Sequence, residues 1–228
     1  MPFDQERRPG PGGGTHERAI NLPPAILWLI VINLAVQGIR LLLSDAVDDK
    51  LILQFGLVPA NYTADTGVRW LALIAAPITY QFLHGGWVHV GVNMLSLAAF
   101  GAPVERTLGP RRFVLFYLSA GIIAGVVHVL IYSDSVDPVV GASGAVSGIF
   151  GAVLILMRRG GGLTSLLPVA GVWIAMNIFF GVFGGTPGAD GQPVAWAAHI
   201  AGFVYGLAAI HLFLPRVPVI PDPPQDAD

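Results

Sequence analysis

Ser143 lies in Gly141-Ala142-Ser143-Gly144 and His199 in Ala197-Ala198-His199-Ile200-Ala201-Gly202, each a reactive side chain at the head of an apolar run. A hydroxyl becomes a nucleophile when a base takes its proton, and imidazole is the side chain suited to that near neutral pH. His89 and Asn93 form a second pair, spaced i and i+4, so a helix presents both from one face. The chain has no cysteine, which excludes thiolate nucleophiles, disulfides and thiolate metal sites. The histidines have no carboxylate close by in a ligand pattern and no His-Glu-x-x-His occurs, so a metal is not expected. Acyl transfer through serine and histidine also needs no cofactor. Gly141-Ala-Ser-Gly-Ala145 lacks the second glycine of a hydrolase nucleophile elbow, so the scaffold must be of another kind.

Composition defines that scaffold. Of 228 residues, 54% are hydrophobic and only 11% charged, against about 25% charged in soluble domains. Lipid is the solvent such a chain fits. The net charge of −2 with no basic stripe argues against a nucleic-acid partner. Six apolar segments follow: Pro24–Leu43, Trp87–Val104, Phe113–Ile131, Ser143–Met157, Leu163–Phe183 and Ala195–Leu214. Apolar character all round over about 20 residues predicts membrane-crossing helices, hence an all-α polytopic bundle over residues 23–216. Residues 1–22 and 217–228 are polar and read as a disordered tail and a Pro-rich tail. Arg7, Arg8, Arg18, Arg106, Arg111, Arg112, Arg158, Arg159 and Arg216 lie on one side of these spans, and Arg40, Lys50 and Arg69 on the other. The positive-inside rule then places both termini in the cytoplasm. The 44–86 connection is outside, with its apolar Val68–Ile78 part expected to be interfacial or re-entrant.

Span four is short. Ser143 to Met157 is 15 residues, about 22 Å of helix, roughly 8 Å less than the bilayer core. With Arg158 and Arg159 at the inner surface, Ser143 lies below the outer one. His199, four residues into span six, reaches a similar depth of about 6 Å. A helix beginning within the membrane leaves its first N–H groups without carbonyl partners, so a wet cavity is needed there. Those N–H groups and the positive helix end suit a developing oxyanion. Gly144-x-x-x-Gly148 and Gly202-x-x-x-Gly206 provide small faces through which spans four and six approach. Plainer roles exist for each residue: a helix-capping serine, and histidines and an asparagine that hydrogen-bond between helices. His84 reads as an organiser of loop and water, and His128, Asn177 and His211, joining no motif, as packing or hydrogen-bonding residues.

His89-x-x-x-Asn93, Gly141-x-Ser143-Gly144 and Ala198-His199-x-x-Gly202-x-x-x-Gly206 together resemble the rhomboid intramembrane serine proteases. Glu105-Arg106-x-x-Gly109 and His84 match that family's pattern too, and the resemblance runs from about Thr79 to Gly206. It implies a six-helix rhomboid-like bundle with Ser143 as nucleophile and His199 as general base. By matching position, His89 and Asn93 would join the Ser143 amide in holding the oxyanion. Substrates would be single-pass membrane proteins cut near the outer end of their helix, and span five would flank lateral substrate access. Two places depart from the pattern. Ala75 and Ala76 stand where relatives often have Trp-Arg, and Ser147 stands where many have an aromatic residue against the histidine. A catalytically silent relative would lack the serine or histidine, and a transporter would carry polar residues along a full crossing path. The compact form without a targeting segment points to a bacterial plasma membrane.

Overall fold

Proline, glycine and run length set where the helices start and stop. The computed structural model describes residues 22–64, 66–158, 162–183 and 195–215. Its helices are α1 (Pro24–Arg40), α2 (Asp45–Phe55), α3 (Trp70–Thr79), α4 (Trp87–Leu108), α5 (Pro110–Ile131), α6 (Ser143–Leu156), α7 (Leu167–Phe183) and α8 (Trp196–Phe213). The expected tails, apart from Leu22, and the Arg159-Gly-Gly stop lie outside the described residues. Each expected span corresponds to one helix, with ends shifted by up to four residues. Span five opens as a 3-10 turn over Leu163–Leu166 before becoming α-helical.

Length divides these helices. Trp87–Leu108, Pro110–Ile131, Leu163–Phe183 and Trp196–Phe213 are long and apolar enough to cross a bilayer. Helices α1 and α6 have 17 and 14 residues and fall short of that measure. For α6 the shortness matches the run read from the sequence. Gly109 ends α4 at φ 78°, a conformation that favours glycine, and Pro110 begins α5 at once.

Helix α6 is the centre of the bundle, packed on α8, α5 and α4. Its partners approach on small faces. A Cβ built on Gly148 would lie 2.7 Å from the Ala120 Cβ of α5, and one on Gly144 the same distance from that of Ala124. Ile149 and Ala152 of α6 and Phe113, Phe116 and Tyr117 of α5 are fully buried in the surrounding core. Where hydrocarbon surrounds the protein, such close backbone approach holds helices together through dispersion.

Helix α1 is fastened at its start by a distant carboxylate. Glu105, 2% exposed near the end of α4, accepts the Ala25 N–H at 3.0 Å and the Ile26 N–H at 2.9 Å. Two N–H groups that α1 cannot satisfy internally find their acceptor there.

Among the described residues, the 44–86 connection contains two α-helices and two short 3-10 turns, and α3 covers most of the stretch expected to be interfacial. Trp70, Leu71 and Ile74 of α3 point outward while Ala72 and Ala76 are buried. Arg40, at the end of α1, organises this connection. Its guanidinium binds both Asp48 carboxylate oxygens, at 2.7 and 2.9 Å, and donates to Gln37 and to the His84 carbonyl. That bond to Arg40 holds the Asp48 carboxyl below the usual carboxylate range, although its partial burial acts the other way.

Candidate active site

The chain entering α6 must turn sharply to bring a side chain to the helix's first residue. Gly141 makes the turn at φ 124°, a region that disfavours side chains. Its N–H donates to the Tyr80 carbonyl at 2.9 Å, and the Tyr80 hydroxyl donates to the Gly121 carbonyl at 2.6 Å. Two residues earlier, Val139 and Leu57 exchange two backbone bonds in an antiparallel bridge, at 2.9 and 3.0 Å. The first connection thus fixes the approach to Ser143.

Ala142, not Ser143, is the N-cap of α6, and no side chain caps that helix end. The capping role open to Ser143 in the sequence is therefore not the one it fills. Its Oγ lies 2.7 Å from His199 Nε2. The register of α6 on α8 explains why. A Cβ on Gly202 would strike the Gly144 carbonyl, and one on Gly206 the Gly148 carbonyl. The two glycine faces therefore meet in step. With Gly202 against Gly144, the residue one turn earlier on α8 is His199, and the residue just before Gly144 is Ser143.

His89 comes from α4 to the same place. A Cβ on Gly141 would lie 2.9 Å from His89 Cε1 and Nε2 and 3.7 Å from Ser143 Oγ. Gly141 thus leaves room for an imidazole beside the hydroxyl. His89 Nδ1 accepts the Gly85 N–H at 3.3 Å, and its ring meets that of His84 edge-on at 5.1 Å between centroids. Buried Asn93 donates one amide proton to the His89 carbonyl at 3.1 Å. His84 accepts the Ala142 N–H at Nε2, 3.4 Å away, in keeping with an organising role.

Asn177 of α7, expected to pack or to hydrogen-bond, does hydrogen-bond, and to a partner that no motif indicated. Its Oδ1 lies 2.8 Å from His199 Nδ1. A signal was available in depth: on the orientation expected from the sequence, Asn177 precedes the outer end of its span at Phe183 by six residues, about 9 Å of helix. That is close to the roughly 8 Å expected for Ser143. His128 instead packs against Tyr132, and His211 is exposed near the end of α8.

A serine at a helix start, hydrogen-bonded to an imidazole and with a second histidine beside it, is an arrangement fit for nucleophilic acyl transfer. It is carried by an integral, multi-pass helical membrane protein. The family model for the rhomboid domain matches residues 74–216, and the chain belongs to the rhomboid family. It is 30% identical over 210 residues to Rhomboid-related protein 2 of Mus musculus, covering 84% of this chain and 65% of that protein. It is also 36% identical over 142 residues to Rhomboid protease GluP of Bacillus subtilis, covering 61% of this chain and 26% of that one. Rhomboid-type serine protease 2 of Emericella nidulans is 35% identical over 134 residues, covering 56% and 24%. The match thus spans just under two thirds of the mouse protein and about a quarter of the other two.

Proposed function

We propose that the chain is an intramembrane serine endopeptidase that hydrolyses peptide bonds in or near the transmembrane segments of single-pass membrane proteins. The observation that carries this reading is the 2.7 Å contact between Ser143 Oγ and His199 Nε2 at the open start of α6. Ser143 attacks the scissile carbonyl carbon while its proton passes to His199 Nε2. The carbonyl oxygen becomes an oxyanion, accepting from the Ser143 N–H at the helix start, from the His89 ring and from the second Asn93 amide proton. As the tetrahedral centre collapses, the C–N bond breaks and His199 protonates the departing amine. Water then attacks the acyl-enzyme with His199 again as base, releasing the acid and restoring Ser143.

Residues 23–216 form the membrane unit in this reading, with six spans, both termini cytoplasmic and a bacterial plasma membrane as its home. The nine-to-three bias of Arg and Lys between the two sides supports that orientation. The decisive experiment treats the purified chain in detergent with a fluorophosphonate and identifies the modified residue by mass spectrometry. Labelling is expected at Ser143. Ser143→Ala is expected to remove both labelling and cleavage of a model membrane substrate while keeping the thermal unfolding of the native protein. Unchanged cleavage by that variant would refute the assignment.

A further inference from the structure

An imidazole that must accept a proton at Nε2 has to carry its own proton at Nδ1, and something must hold it so. The amide of Asn177 supplies that hold. Its Nδ2 donates to the Trp173 carbonyl at 2.8 Å. A carbonyl only accepts, so the NH₂ end of the amide must face Trp173 and the oxygen must face His199. Oδ1, an acceptor, then fixes the His199 proton on Nδ1 and leaves Nε2 bare toward Ser143, as a base requires.

We propose that Asn177 is a positioning residue for His199, the last member of a Ser143–His199–Asn177 relay of hydrogen bonds, delivered by α7. This rests on the reading of Ser143 and His199 as the reacting pair. The placing of Asn177 has a consequence because α7 is held by little else. Only 6% of the 163–183 stretch is buried, against 39% in each of the other three long helices. Asn177 is the sole buried residue of α7 itself. The docking face is a stripe at four-residue spacing. Trp173 packs on Phe150 and Phe203, with ring centroids 4.8 and 6.1 Å away. At Gly181 the space a side chain would take is filled by the Trp196 ring of α8. Asn177 stands midway between these anchors, so the relay is complete only while α7 is docked. Displacing α7 removes the Nδ1 partner and frees the ring to turn or change tautomer.

An asparagine suits this position better than an aspartate would in a membrane interior. It accepts the same hydrogen bond without a buried charge. Among the described residues, the groups whose charge bears on His199 are His89 on α4 and His128 on α5, and neither is a carboxylate.

The test compares Asn177→Leu and Asn177→Asp with the native protein by the rate of fluorophosphonate labelling at Ser143 across pH. Leucine keeps the volume and removes the acceptor. It is expected to slow labelling roughly tenfold to a hundredfold, part of the ~10²–10⁴ that a positioned base contributes, with thermal unfolding unchanged. Aspartate keeps the acceptor and adds negative charge that favours the imidazolium. It is expected to retain most of the rate and to move the acid limb of the profile to higher pH. Labelling of Asn177→Leu at the native rate overturns the proposal. If the leucine variant does not fold, the aspartate variant decides: a displaced acid limb supports the relay and an unmoved one overturns it. Absence of Ser143 labelling in the native protein would instead strike the underlying assignment, a distinguishable failure.

Discussion

The α6–α8 seam and the α7 contact hold the two ring nitrogens of one histidine by opposite means. At the seam, glycine faces bring backbone against backbone, and Ser143 and His199 inherit their spacing from a register that carbonyl oxygens enforce. Small shifts there are forbidden by sterics. At α7, an indole, an amide and a glycine touch the bundle along one stripe, and the remaining surface faces outward. Ser143 and His199 are therefore set by a closely packed seam, while the partner of His199 Nδ1 arrives on a helix with little buried surface. Close packing suits the proposed reacting pair, since small misplacement of reacting atoms is costly. A weakly docked helix suits the proposed cleavage of a membrane helix, which would enter from the side.

This contrast can be broken most severely at the seam. Gly206→Leu places a branched side chain where the Gly148 carbonyl already stands, with no flexible atom to yield. Overpacking of this kind costs about 1–3 kcal/mol or more. Helix α8 is expected to shift, with labelling of Ser143 lost and thermal unfolding in detergent lowered. A Gly206→Leu protein that labels like the native one would show the seam to be less exacting than its geometry implies. A smaller effect is expected from Trp173→Ala, which removes the indole from Phe150 and Phe203. Local opening of α7 should become easier by about 1 kcal/mol, seen as faster amide hydrogen exchange in 167–183 while α6 and α8 keep their protection. Equal acceleration in all three helices would mean that α7 and the seam are one cooperative unit.

The slightest effect belongs to the first connection, away from both regions. Arg40 holds the Asp48 carboxyl below its usual range, so the carboxylate form is favoured by folding. The stability this supplies is present above the ordinary carboxylate pKa and disappears as pH falls through the lowered folded value. For a partly exposed pair it is under about 1 kcal/mol. Thermal unfolding of the native protein and of Asp48→Asn, followed from pH 7 to pH 3, is expected to differ at neutral pH and to converge in acid. A constant gap across that range would contradict the assigned ion pair.

Much of the bundle was readable because its signals are local. Apolar runs gave the helices, and 15 residues between Ser143 and Met157 gave the short one. Two four-residue glycine spacings gave the seam. What escaped was long-range or degenerate. Asn177 is one polar residue in an apolar run, with a partner 22 residues away on another helix, and no spacing rule singles it out. Helix α2 was missed because its Asp-rich start and mixed polarity carry no membrane signal. Pairing of Leu57 with Val139 lacks any sequence mark, since a two-residue bridge has no periodicity.

The Glu105 clasp on α1 bears on how the protein is made. The carboxylate and the amides it satisfies are about 80 residues apart in the chain. Synthesis proceeds from the amino terminus, so Pro24–Arg40 leaves the ribosome long before residue 105 exists. Until then the opening turn of that first helix must rely on water or lipid headgroups for its amides. Its final seat in the protein is therefore taken late, after α4 has been made.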